Sequence, residues 1–111
     1  MIINLTPHDV VTVNEDGTVR NTYTSQGIAR ATQSFSEAGV IDGERIVETK
    51  FGEPVDLPEP KEGVYLIVSF PTAQAASRYG RTTSDLLLTT MAVRNEKGQI
   101  VGCKALTPYH P

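Results

Sequence analysis

The sequence predicts a mainly β protein: a small antiparallel sheet or barrel of hairpins, with one short helix near residues 71–79. Three observations lead to this fold class. Glycine-containing turns recur at intervals that suit strands, the segments between them are rich in β-branched residues, and one alanine-rich stretch has helix start and stop signals. We expect a single domain over residues 1–111, because this length is typical of a domain with one core.

Three turns predict three hairpins. In two of them an Asp-Gly pair supplies the positive φ that tight turns need, and the third ends in a glycine. The predicted hairpins join residues 10–13 to 18–20 through the turn at 14–17, residues 38–41 to 44–51 through Asp42 and Gly43, and residues 91–94 to 99–103 through the turn at 95–98.

The remaining segments supply a loop, a buried strand, the helix and a tail. Residues 52–63 contain three prolines, which predict a surface loop, whereas residues 64–69 form the nearly continuous apolar run of a central strand covered on both faces. The helix follows, with Ser69 or the next residue as N-cap, Pro71 in its first turn and Gly80 at its end. Residues 107–111 are expected to form a loose tail.

Composition narrows the classes of function. A net charge of −3 argues against binding a DNA or RNA polymer, which needs clustered Lys and Arg. The chain has neither a signal peptide pattern nor an apolar window long enough to span a membrane, so we expect a cytoplasmic protein. The single Cys103 cannot close an intrachain disulfide, and its alternating surroundings predict a buried side chain. A chain this small leaves apolar surface for a partner copy to cover, which predicts a homo-oligomer.

Motifs of catalysis are not found in the sequence. It has no glycine-rich phosphate loop, no zinc-protease helix and no nucleophile elbow, and we expect no metal and no cofactor. His8 is the one histidine in an ordered setting, because Pro7 restricts the backbone beside it and Thr6 or Asp9 can orient the imidazole. Two interpretations remain open for His8: a hydrogen-bonded residue of an ordinary turn, or a ligand-binding or catalytic group.

A second set of candidate residues follows the buried strand. A helix start presents N–H groups that suit a phosphate or carboxylate, arginine binds phosphate through two donors, and Phe70 or Tyr79 can stack on a base. The alternative is a solvated surface turn in which Asp85 caps the next segment and Arg30 is simply exposed. The candidate ligand-binding residues are His8, Arg30, Ser69, Gln74, Arg78, Arg81, Thr82, Ser84 and Asp85.

Several motifs together resemble a group of small proteins encoded by bacteriophages and prophages. These are the opening residues 2–8 with Asn-Leu-Thr-Pro-His, the central segment 52–60 from Gly-Glu to Leu-Pro-Glu-Pro, the strand at 65–69 with Ala-Gln-Ala at 73–75, the turn at 80–82, and the closing segments 93–96 and 100–103. The similarity covers most of the chain. Residues 76–79 and the stretch 86–90 depart from the group's pattern.

A phage origin changes which functions are expected. Small oligomeric phage proteins of β-rich fold include sponges, which bind the cyclic nucleotide or cyclic ADP-ribose signals of bacterial immunity and withhold them from their effectors. The leading hypothesis is therefore a non-enzymatic sponge for a small nucleotide-derived signal. Two alternatives stay open: a small nucleotide-processing enzyme that uses His8 as general acid or base, and a protein-binding or virion-accessory module that pairs through Phe35, Phe51 or residues 86–88.

Overall fold

The computed structural model describes all residues 1–111 and contains eight strands and one helix. The elements are β1 (Ile2–Asn4), β2 (Val10–Val13), β3 (Val19–Tyr23), β4 (Arg30–Ile41), β5 (Glu44–Val55), β6 (Tyr65–Ile67), α1 (Phe70–Arg78), β7 (Leu86–Arg94) and β8 (Ile100–Pro108). The predicted mainly β class with one short helix is confirmed. All three predicted hairpins are present, as the antiparallel pairs β2–β3, β4–β5 and β7–β8.

Six strands form a curled sheet in the order β1-β6-β7-β8-β2-β3. The segment that follows β3 pairs with the end of β1, since the Gln26 N–H donates to the Asn4 carbonyl at 2.9 Å and the Ala29 N–H donates to the Leu5 carbonyl at 3.0 Å. The sheet is therefore a nearly closed barrel. Its pairing is mixed, since β1–β6, β6–β7 and β2–β8 are parallel.

Helix α1 begins where the sequence places its cap. The Ser69 side chain accepts a hydrogen bond from the Thr72 N–H, Pro71 lies in the first turn, and Gly80 follows the helix with φ of 81°. No helix of the protein has the length and apolar character needed to cross a membrane.

Both faces of β6 are covered. Leu66 packs with Leu86 and with the alanines of α1, whereas Ile67 belongs to a second cluster with Val10 and Cys103. Successive residues of a strand point to opposite faces, so the two clusters lie on opposite sides of the sheet. The predictions of a two-sided central strand and of a buried Cys103 are confirmed.

Two boundary predictions are wrong. Residues 52–55 continue β5 and do not belong to the loop, because Pro54 pairs with Ala31 in a two-stranded ladder, where an outward-facing residue needs no N–H partner. Residues 107–109 are not loose: β8 runs through Pro108, and the Tyr109 N–H donates to the Leu86 carbonyl at 3.2 Å. Tyr109 is held because its ring is buried to 9% exposure in the core beside α1.

The hairpin β4–β5 forms a separate sheet that leaves the barrel. Its base packs against α1, and nearly every residue beyond that base is exposed. At about 3.3 Å per residue, a 12-residue strand spans about 40 Å. We call residues 33–51 of this hairpin the arm. The whole molecule measures 48 × 40 × 23 Å.

Candidate ligand-binding cleft

One concavity of the molecule has a volume of about 770 Å³, within the range of about 300–1,000 Å³ typical of small-molecule sites. It opens where the chain before β2, the junction of β6 and α1, and the adjoining parts of β7 and β8 meet. We call it the cleft. It is lined by Thr6, His8, Asp9, Val10, Val11, Val68, Ser69, Phe70, Leu88, Thr89, Thr90, Met91, Ala92, Ile100, Val101, Gly102 and Cys103.

The lining combines apolar walls with a few polar groups. Hydroxyls come from Thr6, Ser69 and the threonines at 89 and 90, and His8 and Asp9 add an imidazole and a carboxylate. The other lining residues are mainly apolar. Such a surface suits a ligand with a flat apolar part and a polar or ionic part, because the first is desolvated and the second is hydrogen-bonded.

A buried asparagine holds the chain that carries His8. Asn4 is 1% exposed, and its Nδ2 donates to the His8 carbonyl at 2.7 Å and to the Tyr23 carbonyl at 2.9 Å. Its Oδ1 accepts from the Thr6 N–H at 2.9 Å and from the Thr6 hydroxyl at 2.6 Å. All four bonds of this amide are internal, so Asn4 fixes the turn that presents the exposed His8 at the edge of the cleft.

Hydrogen bonds from Ser25 connect the same turn to the segment that follows β3. The Ser25 hydroxyl donates to the Thr6 carbonyl at 2.6 Å, and its N–H donates to Asp9 Oδ1 at 3.4 Å. The hydrogen bond from Ser25 fixes the position of one oxygen of the Asp9 carboxylate. The turn from Thr6 to Asp9 is a preorganised rim, and a ligand that binds there does not have to order it.

The start of α1 contributes Phe70 and only one unused N–H group. The Thr72 N–H donates to Ser69 Oγ, the Ala73 N–H donates to the Ser69 carbonyl, and Pro71 has no N–H. The expectation of several free donors at this helix start is therefore wrong. Phe70 is 55% exposed, and its ring meets Tyr109 edge-on with centroids 5.7 Å apart, which fixes an aromatic surface at the cleft.

One residue of the cleft wall has an unusual backbone. Met91, within β7, has φ of 58°, in the left-handed region that methionine seldom adopts. Backbone strain of this kind is found disproportionately at binding and catalytic sites. The flexible Met91 side chain is 56% exposed beside the cleft, where it can adapt to a ligand.

Two of the predicted site residues, His8 and Ser69, line the cleft. Arg81 and its neighbours do not. Helix α1 is nine residues long, about 13 Å, and it separates Ser69 at its start from Arg81 beyond its end. The structure therefore does not join the helix start and the arginine turn into one site.

Arg81 is engaged within the protein. Its Nη1 and Nη2 each donate to one oxygen of Asp85 at 2.9 Å, and they also reach the Thr82 and Pro58 carbonyls at 2.7 Å. The two side chains are only 13% and 10% exposed, and Arg81 Nε is buried without a partner. This ion pair connects the turn before β7 to the loop after β5, which is a structural task.

The remaining predicted residues are dispersed. Thr82 and Ser84 bond to each other at 3.2 Å, and Ser84 and Asp85 border a smaller hollow of about 260 Å³. Arg30 pairs with Asp56 at 3.1 Å on the surface. Gln74 is half-buried on α1, and Arg78 is exposed in its last turn.

Several residues that line or support the cleft were missed from the sequence. Asn4 had a usable signal, because a polar residue inside the apolar run at 2–5 must be hydrogen-bonded if that strand is buried. Asp9 was considered only as a partner of His8. Thr89 and Met91 gave no local signal, since they join the cleft through the pairing of β7 with β8 and of β8 with β2.

The charged side chains form no metal-binding cluster, and one of them, Asp16, has a clearly lowered pKa. No group of three or more His, Cys, Asp or Glu side chains is placed to hold a metal ion. Hydrogen bonds from the Thr18 hydroxyl and N–H hold the pKa of Asp16 below its ordinary value. Asp16 lies in the turn between β2 and β3 and is not part of the cleft.

Comparison of the chain with known protein families, with curated proteins and with solved structures found no match. The cleft must therefore be interpreted from its own chemistry.

Proposed function

We propose that this protein binds a small nucleotide-derived signal in the cleft and releases it chemically unchanged. It thereby withholds a cyclic oligonucleotide or cyclic ADP-ribose type of molecule from the effector of a bacterial anti-phage defence. The observation that carries the proposal is the placement of an exposed, fixed Phe70 ring beside His8, Asp9 and Ser69 in one cleft of about 770 Å³.

Each part of a nucleotide has a matching group in this cleft. A base can stack on Phe70, a contact worth about 1–3 kcal/mol per base. Ribose hydroxyls can donate to the Asp9 carboxylate, and phosphate oxygens can accept from the His8 imidazole. Selective binding of this kind does not require a strongly basic protein, and it agrees with the net charge of −3.

Sequestration is favoured over turnover by the hydrogen bonding around the candidate catalytic groups. The Ser69 hydroxyl is bonded to Thr72 at 2.8 Å and caps α1, so it is engaged within the helix start and has no adjacent base. The His8 ring has no carboxylate hydrogen-bonded to it that would orient it for catalysis. The hydrogen bonds to His8 come from the Asn4 and Thr6 side chains and reach its backbone carbonyl. The biological setting rests on the resemblance to phage proteins and places the action in the host bacterial cytoplasm.

A thermal-shift screen followed by ligand recovery tests the proposal. The panel contains cyclic dinucleotides, cyclic trinucleotides, cyclic ADP-ribose and linear ADP-ribose. A true ligand at a hundred times its Kd adds about 2.7 kcal/mol to the free energy of unfolding, which raises Tm clearly. The bound molecule is then released by denaturation and identified by mass spectrometry. Intact ligand supports the sponge, a hydrolysed product supports an enzyme, and no stabilisation by any member of the panel contradicts the proposal.

A further inference from the structure

The arm carries an apolar stripe on one of its two faces. Phe35 pairs with Thr49, Phe51 with Gln33 and Val47 with Glu37, and side chains alternate between faces along each strand, so these six residues share one face. The irregularity between Glu37 and Gly39 brings Val40 opposite Arg45 onto this face too. We call it the aromatic face. Its apolar members are all exposed: Phe35, Val40, Val47 and Phe51.

The two faces of the arm differ in character. The aromatic face contains one acid and one base, Glu37 and Arg45, and these two form an ion pair with each other. The opposite face presents Ser34, Ser36, Glu48 and Lys50 along the same length of the hairpin, followed by Ile46, Ile41 and Glu44 near its tip. Apolar side chains therefore run along the whole aromatic face, whereas on the opposite face they are confined to the tip.

An isolated two-stranded hairpin is at best marginally stable in water, because too little apolar surface is buried between two strands. Every residue of β4 from Thr32 to Ile41 is exposed. The strand edges add unpaired N–H and C=O groups, and β4 between Gln33 and Ile41 has a single charged residue to protect its edge. In a single chain, the arm therefore lacks the packing contacts that would stabilise it.

The solvent-accessible surface area of one chain is larger than that of a compact monomer of the same mass. One chain exposes 7469 Å², whereas a compact monomer of 12.1 kDa exposes about 6,000 Å². The radius of gyration is 16.5 Å, against about 13 Å for a compact chain of this length. The excess of roughly 1,400 Å² exceeds the roughly 800 Å² that each subunit of a stable complex contributes.

We propose that the aromatic face of the arm is the interface of a homodimer, in which it packs against the same face of a second copy. A two-fold pair places the phenylalanines and valines of the two arms together, and it allows Glu37 and Arg45 to pair across the interface. The electrical balance of this face matters, because two copies that each carry −3 repel over the rest of their surfaces. The proposal does not depend on the ligand of the cleft.

Molar mass in solution tests the dimer with one variant on each face of the arm. Phe35→Glu places a charge on the aromatic face, and Ser34→Glu places the same charge on the opposite face beside its partner Lys50. Light scattering coupled to size exclusion should give about 24 kDa for the wild type and for Ser34→Glu, twice the 12.1 kDa of one chain. Phe35→Glu should elute at the mass of one chain. A wild type at one chain mass, an assembly larger than a dimer, or a Phe35→Glu variant that remains dimeric overturns the proposal.

Hydrogen–deuterium exchange separates dissociation from unfolding. In Phe35→Glu the amides of the arm should exchange faster than in the wild type, while the amides of β6 and β7 in the barrel keep their protection. If the barrel loses protection as well, Val47→Lys on the same face replaces Phe35→Glu, and the wild-type arm is compared at low and high protein concentration. Arm protection that is independent of concentration above and below the dimer's dissociation range overturns the proposal.

Discussion

Two polar side chains with little exposure, Asn4 and Arg81, each connect segments that lie far apart in the sequence. Asn4 makes four internal hydrogen bonds and fixes the turn that carries His8. Arg81 forms a bidentate ion pair with Asp85 and donates a hydrogen bond to the Pro58 carbonyl. Removing one member of a buried polar set leaves the others without partners, and that loss is larger than the net value of the bonds.

Replacing Asn4 tests the rim of the cleft. Asn4→Asp keeps the size but replaces an NH₂ donor with a second acceptor, which then faces the carbonyls of His8 and Tyr23. We expect a loss of about 3 kcal/mol in the free energy of unfolding. Urea denaturation measures it, with Asn21→Asp on exposed β3 as the matched control, which should change stability little. Equal losses in the two variants would show that the Asn4 amide is not the organising group.

Replacing Arg81 separates a structural role from ligand binding. Arg81→Ala leaves the buried Asp85 carboxylate unpaired, so we expect a loss of about 3 kcal/mol in the free energy of unfolding. Arg30→Ala breaks the exposed pair with Asp56 and should cost about 1 kcal/mol or less. Thermal denaturation of both variants checks the difference. If folded Arg81→Ala keeps its stability but loses nucleotide binding, the arginine belongs to a ligand site, as the sequence interpretation had it.

At the scale of elements, local signals predicted the parts of the fold that are local. The glycine-containing turns predicted the three hairpins, and Ser69, Pro71 and Gly80 predicted α1. The parallel pairs could not be predicted, because β1 meets β6 and β2 meets β8 across long stretches of chain with no local signature. The cleft depends on those pairs, which is why His8 and Ser69 were identified while the β7 and β8 walls were not.

The end of β8 shows how packing overrides a local expectation. Truncation after Pro108 removes Tyr109, whose ring packs in the core and against Phe70, and should lower the free energy of unfolding by about 3 kcal/mol. Truncation after Tyr109 removes only two exposed residues, His110 and Pro111, and should leave stability unchanged. The urea midpoints of the two truncated chains measure this difference in stability. Similar midpoints would mean that the tail is loose in solution.

At the scale of the whole molecule, the chain consists of a nearly closed barrel with a cleft and an arm that leaves the barrel. The barrel and α1 bury the core, whereas the arm exposes apolar surface that we assign to a second copy. This division gives the two proposals separate tests, since Phe35 lies on the arm and Phe70 lies in the cleft. Loss of dimerisation with intact binding, or the reverse, would assign each function to its own surface.

Titration calorimetry with the nucleotide that stabilises the protein most is the most direct test of the cleft. Phe70 and Tyr79 lie at opposite ends of α1 and are similarly exposed, at 55% and 57%, but only Phe70 lines the cleft. We predict that Phe70→Ala weakens binding about tenfold or more, through loss of base stacking, and that Tyr79→Ala binds like the wild type. Wild-type affinity in Phe70→Ala, or an equal loss in Tyr79→Ala, would contradict binding in the cleft.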